Sequence, residues 1–306
     1  MEGTEETFRS PRDIAAMTAE LLAIDRASGA RSAAPVAVRA VAAVLRHPGP
    51  PPPAAAPAGL AVPADLAEFF EVAAWILFDA EQHALSYRLN RRALALARGL
   101  GDEDRSIELL TLSVLSMQAA HLGRPGDSLR ISSAVLARKG LPTRVAALFH
   151  VREARAHAQR LDRRAALRSL RLAHELHADG PGAKDPEWAW WFDRAELDGH
   201  HGLALADLGD TERAASLLHT ATEAGDGPAY RSLFAAELGH VLARAGAWRE
   251  ADAWLSGLVE SGTVPAMGSV RALRALEAAT RAIERGRGVP RGPRETARHL
   301  ARLLPR

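Results

Sequence analysis

Five times along the chain a helix-favouring stretch reaches a turn position and meets a small residue five positions later. The clearest copies are Gln118-Ala-Ala-His-Leu-Gly123-Arg-Pro-Gly-Asp-Ser128, Leu205-Ala-Asp-Leu-Gly209-Asp-Thr-Glu-Arg-Ala214 and Leu242-Ala-Arg-Ala-Gly246-Ala-Trp-Arg-Glu-Ala251. Glycine supplies the left-handed backbone that ends the first helix, and Ser128, Ala214 and Ala251 let the second helix approach it closely. Two degenerate copies place Glu81 before Ser86 and Leu161 before Ala166. Small residues recur seven positions ahead of each turn, at Ala74, Ser116, Ala154, Gly202 and Gly239, where the first helix of a hairpin needs them. Composition agrees: Ala, Leu, Arg and Glu favour helix, and almost no segment alternates β-branched or aromatic residues at period two. The expected fold class is all-α.

The turn positions are spaced by 42, 38, 48 and 37 residues, against roughly 34 in a tetratricopeptide repeat. The extra residues are expected between hairpins. A hairpin of this kind cannot bury its apolar face alone, so the frame predicts a right-handed, tetratricopeptide-like solenoid of about five hairpins with capping helices and a concave inner surface. Ahead of it, amphipathic stretches over about Asp13 to Arg26 and Val36 to Arg46 predict a short helical segment within residues 1–47. The run Pro48-Gly-Pro-Pro-Pro-Pro-Ala-Ala-Ala-Pro-Ala-Gly59 is incompatible with helix, because proline lacks the amide donor and extends the residue before it. Residues 48–62 are therefore expected to be a linker, and 63–306 the repeat domain.

Charge and composition narrow the function classes. Lys+Arg 39 against Asp+Glu 37 leaves a net charge of +2, so the chain is not a uniformly basic nucleic-acid binder. The absence of cysteine removes disulfides, thiolate metal sites and a cysteine nucleophile. The acidic start Met1-Glu-Gly-Thr-Glu-Glu and the lack of any apolar run of about 18 residues predict neither a secretory signal nor a spanning helix, hence a cytoplasmic protein without membrane partners. Lys139 and Lys184 are the only lysines among many arginines and alanines, a usage typical of high-GC bacteria. No Gly-rich phosphate loop, nucleophile elbow or paired catalytic carboxylates can be read, so no enzyme and no cofactor are expected.

Several phrases carry a resemblance: Trp75-Ile-Leu-Phe-Asp79, the run Leu85-Ser-Tyr-Arg-Leu-Asn-Arg-Arg-Ala-Leu-Ala-Leu-Ala97, Leu115-Ser-Met-Gln-Ala-Ala-His-Leu-Gly123, Glu153-Ala-Arg-Ala-His-Ala158, and Asp185-Pro-Glu-Trp188 through Phe192-Asp193. From about Pro11 to the C-terminus the chain resembles the C-terminal region of actinobacterial regulators that join an Xre-type helix-turn-helix domain to a tetratricopeptide sensor region. The resemblance implies a regulator or signal-responsive binding protein that modulates transcription. Only Met1 to Ser10 precede the resembling region, and they hold no helix-turn-helix pattern, so a sensor or adaptor acting without its own reading head is expected.

In such solenoids the groove is lined by first helices, at positions about two, three, six, nine and ten residues before the turn. That frame predicts an inner surface of Glu71, Trp75, Phe78 and Asp79, then Met117 and His121, then Arg152, Arg155 and Gln159, then His200 and Asp207, then Glu237, His240 and Arg244. A peptide, a small signal molecule or a regulatory protein would be held there by arginine–carboxylate contacts and apolar pockets. Arg152, Arg155 and Arg244 are the leading candidates. Asn90, in a second helix, is read as a packing residue.

Trp188, Trp191 and Phe192 share a helix face and read as core, leaving Trp190 to point elsewhere and serve as a candidate partner anchor. Asp185 is expected to cap the helix that carries them, with Pro186 in its first turn. His200-His201 near Asp198, and His174 and His177 around Glu175, do not match a metal-binding arrangement, so no metal is expected. Arg271 to Arg306 hold ten Arg against three Glu, which reads as a polar terminal cap or, alternatively, as a surface for nucleic acid. A biosynthetic enzyme built on the repeats is the remaining alternative, and it would show shifted pKa values around His200, His240 or Asp207. A homodimer is left open.

Overall fold

The structure is a computed structural model and describes residues 11–46, 61–100, 106–223 and 228–305. The Pro/Ala-rich run at 48–59 lies outside them. Among the described residues all regular structure is helical, and no helix is long and apolar enough to cross a membrane. The chain divides into two compact units, residues 1–115 and 116–306.

The first unit contains α1 (Pro11–Ser28), α2 (Ala30–Arg46), α3 (Ala61–Asp79), α4 (His83–Gly99) and most of α5 (Ser106–His121). Both N-terminal helices pack on α3, and Leu21, Val41, Phe69, Phe70, Ile76 and Leu77 are buried in one core. Helix α2 begins six residues earlier than its apolar pattern suggests and continues through Pro35. Ala30, Ala33, Ala34 and Ala37 are all buried in that core, and this tertiary burial outweighs the local penalty of proline. In the α3–α4 hairpin, Ser86 Oγ donates to the Ala74 carbonyl at 2.8 Å. The small residues at these two frame positions thus bring the helices into direct contact.

The second unit holds α6 (Pro125–Leu136), α7 (Thr143–Gln159), α8 (Arg163–Ala178), α9 (Arg194–Asp207), α10 (Thr211–Thr222), α11 (Ser232–Ala245), α12 (Trp248–Glu260), the single turn α13 (Thr263–Ala266), α14 (Val270–Arg285) and α15 (Arg291–Leu303). Helix α7 packs against α6, α8 and α9, α9 against α10, α10 against α11, and α11 against α12 and α14, while α15 closes on α12 and α14. Frame positions again make the close contacts. Ser116 Oγ lies 2.9 Å from Ser128 Oγ and 2.8 Å from Ser132 Oγ. A Cβ on Gly202 would meet Leu218 Cγ at 2.8 Å, and one on Gly239 would meet Leu255 Cδ2 at 2.6 Å.

All five turn positions are left-handed: Glu81, Gly123, Leu161, Gly209 and Gly246 have φ between 61° and 76°. Two of them are non-glycine, so the hairpin geometry imposes a conformation that costs an L-residue about 1–2 kcal/mol. Asp185 does not cap the segment that follows it. Its Oδ1 accepts from the Arg144 amide at 2.9 Å and its Oδ2 from the Gly182 amide at 2.7 Å, so it satisfies the N-terminus of α7 and ties down its own loop. The segment itself is a short 3-10 helix, Glu187–Trp191.

Candidate functional site

Within the second unit, α7, α9, α11, α14 and the end of α5 converge on one cavity of about 230 Å³. Each contributes residues one helical turn apart: Met117, Ala120 and His121 from α5, Arg152 and Arg155 from α7, His200 and Leu203 from α9, and Leu233, Glu237 and His240 from α11. Helix α14 supplies Arg271, Arg274, Ala275 and Ala278, at the i, i+3, i+4, i+7 spacing of a single helix face. Its core stripe, Ala272, Leu273, Leu276, Ala279 and Ile283, is buried in the α11–α12–α15 core, with Ala275 on the border between that core and the cavity.

The cavity wall is built on buried polar groups. Arg152 is only 4% exposed, and its Nη1 lies 3.2 Å from His200 Nε2, which is also 3.1 Å from Glu196 Oε1. Burial pulls His200 down to about 4, with the Glu196 hydrogen bond opposing and Arg152 adding to the shift, so the ring is neutral at pH 7. A neutral ring serves its two neighbours in alternate tautomers: Nε2 accepts from Arg152 in one and donates to Glu196 in the other. Burial likewise lowers Arg152 to about 10, with Glu196 and Tyr230 opposing and Arg271 and Arg155 contributing repulsion. It remains a cation.

Behind His200, Tyr230 Oη donates to Glu196 Oε2 at 3.3 Å, and Arg231 Nη2 pairs with Asp193 Oδ2 at 2.6 Å. Asp193 also caps α9 through the Glu196 amide. Burial would raise Glu237, but the hydrogen bond and charge of His240, with Arg155 and His121, hold it below the usual carboxylate value. Arg155 pairs with Asp207.

Seven of the residues expected on the inner surface therefore line one cavity: Met117, His121, Arg152, Arg155, His200, Glu237 and His240. Asp207 stands behind the wall as the partner of Arg155. Gln159 Nε2 donates to the Ala120 carbonyl at 3.0 Å and so joins α7 to α5. Arg244, a leading candidate, is exposed near the end of α11 and does not line the cavity. Trp75 and Asp79 belong to the first unit, where Asp79 is buried and the Trp75 ring packs 6.0 Å from Phe78.

The sequence frame missed Arg271, Arg274, Ala275 and Ala278. A readable signal existed, because Arg271, Arg274 and Ala278 share a helix face beside the apolar stripe of α14, which Ala275 borders. It was absorbed into the net charge of the terminal region.

The remaining candidates separate cleanly. Asn90 is fully buried, with Nδ2 3.5 Å from Ser86 Oγ. Trp188 and Trp191 stack at 6.4 Å and Phe192 is buried, whereas Trp190 is 56% exposed. His174 Nε2 and His201 Nδ1 lie 2.9 Å apart and hydrogen-bond one another. A scan against protein-family models and a search of curated proteins return no match to this chain.

Proposed function

We propose that this chain is a non-catalytic recognition protein, a tetratricopeptide-like regulator that binds a ligand in the cavity of its second unit and modulates transcription through a partner. One observation carries the reading: the first helices of successive hairpins, on separate stretches of sequence, aim polar side chains into one cavity. The frame that positions hairpins also positions these side chains, as a binding solenoid requires. Occupancy would change the packing of the lining helices and so the surface offered to a partner. The resemblance to sensor regions of helix-turn-helix regulators supplies the link to transcription.

The lowered pKa of His200 favours an enzyme only if a reacting group is near. The lining holds no Ser, Thr, Cys, Lys or Tyr, and a buried base near 4 is poorly matched to neutral pH. A second reading rests on a separate observation. Arg281, Arg285, Arg287, Arg291, Arg298 and Arg302 are all exposed on α14, α15 and their connection, which suits an acidic partner or nucleic acid bound with steep salt dependence.

Purification from the native host followed by native mass spectrometry tests the proposal. A small molecule or peptide is expected with the wild-type chain and absent from Ala275→Trp, which fills the cavity. Nucleic acid alone, lost as salt rises and unaffected by Ala275→Trp, would replace this reading with the arginine surface.

A further inference from the structure

The cavity also specifies what kind of molecule it takes, provided that it is the ligand site. Its wall presents four arginines and three histidines against one carboxylate, Glu237. Asp207 pairs with Arg155, Glu277 pairs with Arg274 at 2.8 Å, and the charge of Glu196 acts on Arg152, yet none of these three carboxylates is a lining residue. Arg152 and Arg271 are more than nine-tenths buried, and they approach from opposite ends of the sequence on α7 and α14. Guanidinium donors lining one pocket favour an anion with in-plane oxygens.

The rest of the wall is apolar: Met117, Ala120, Leu203, Leu233, Ala275 and Ala278. A cavity of about 230 Å³ falls just below the ~300–1,000 Å³ typical of ligand sites. A compact molecule matches that volume better than a peptide extended along several hairpins, and a bare inorganic ion leaves the apolar walls unused.

We infer that the cavity binds a compact organic acid, its carboxylate received by Arg152 and Arg271 and its hydrocarbon body lying on Leu203, Leu233 and Ala275. The acid is either a free metabolite or the C-terminal carboxylate of a short segment, since both present the same group. Helix α14 then has two duties. It caps the repeats through its apolar stripe and closes the site through its arginine face, so an occupied cavity ties the terminal helices to α7.

Isothermal titration calorimetry on the full chain decides this, using 4-phenylbutyrate and N-acetylphenylalanine, each against its primary amide, with inorganic phosphate as a further probe. At least one acid is expected to bind about 10-fold or more tighter than its amide and than phosphate. Arg152→Met and Arg271→Met are expected to abolish that preference while retaining apolar stems. Arg274→Met, at an exposed site where folding is not at stake, is expected to weaken it severalfold. The stronger of the two acids distinguishes a free metabolite from a peptide terminus.

Acids and amides binding equally, phosphate binding as well as either acid, no acid binding at millimolar concentration, or a preference unmoved by all three substitutions would each overturn the inference. Equal acid and amide binding that Ala275→Trp abolishes would leave the cavity as the ligand site and remove only its preference for acids. Acid binding that survives Ala275→Trp would remove the cavity itself.

Discussion

The two units bury ionisable groups of opposite character. In the first, Glu71 is 3% exposed on α3, and burial, reinforced by the charge of Glu68, lifts it to about 8. In the second, burial drops His200 to about 4 within a network of Arg152, Glu196, Tyr230 and Arg231. Both groups are neutral at pH 7, but protons act on them in opposite directions. For Glu71 the folded state holds its proton between about 4.5 and 8 while the unfolded state has lost it, so stability falls as pH rises through that window. For His200 the unfolded state binds the proton between about 6.5 and 4 while the folded state refuses it, so stability falls as pH drops. Burial alone does not set the response to pH; the sign belongs to the type of group buried.

Hydrogen exchange followed helix by helix at several pH values puts this contrast to the test. The largest effect is expected in the first unit, where Glu71→Gln should raise the protection of α3 at pH 8 by on the order of 4 kcal/mol and remove most of its decline with pH, leaving a smaller one from Glu68 and Asp65, which burial also raises. A decline of undiminished size in the variant would assign it to another group. Next in size, His200 alone should cost α9 and α11 of the second unit about 2 kcal/mol between pH 7 and 5, and His200→Gln should remove that part. His201, which burial also lowers to about 4, would leave a residual slope. If both units respond to pH with the same sign, the contrast is broken.

Smaller effects compare the close helix contacts. Gly202→Ala in the second unit is expected to cost between about 1 and 3 kcal/mol, because the added carbon meets both Leu218 and the backbone oxygen of Ala214. The matching position of the first unit already carries Ala74, with Ser86 bonded to its carbonyl, so the close approach there accommodates a Cβ. The smallest effect is shared by both units. Leu161, 74% exposed with φ 61°, and Glu81, also at φ 61°, should each stabilise the chain by up to about 1 kcal/mol when replaced by glycine. A loss of thermal stability in either variant would show that its side chain contributes more than its backbone strain costs.

Much of the helical organisation was legible in the sequence, because a turn that needs a left-handed residue and two helices that need small contact residues leave a local, repeating mark. The mark was strong enough to place Glu81 and Leu161 in the frame without a glycine. The start of α2 was not legible, since Pro35 argues against helix locally and only the burial of Ala30, Ala33 and Ala34 in a shared core overrides it. Asp185 misled for a similar reason. Its sequence neighbours suggest a cap for the following segment, whereas the amides it satisfies include that of Arg144, forty-one residues away.

The candidate site divides in the same way. Arg152, Arg155, His200, Glu237 and His240 were readable because they occupy repeated positions of one frame. Arg244 satisfied the same frame but lies too near the end of α11 to reach the cavity. Arg271 and Arg274 lie outside the repeats, and only the docking of α14 on α11 turns their face inward. By itself the sequence determined helices, hairpin turns and close contacts, all of which depend on residues a few positions apart. The tertiary structure alone decided which arginines share a cavity, because that depends on which face of a terminal helix is left after its apolar stripe has been buried.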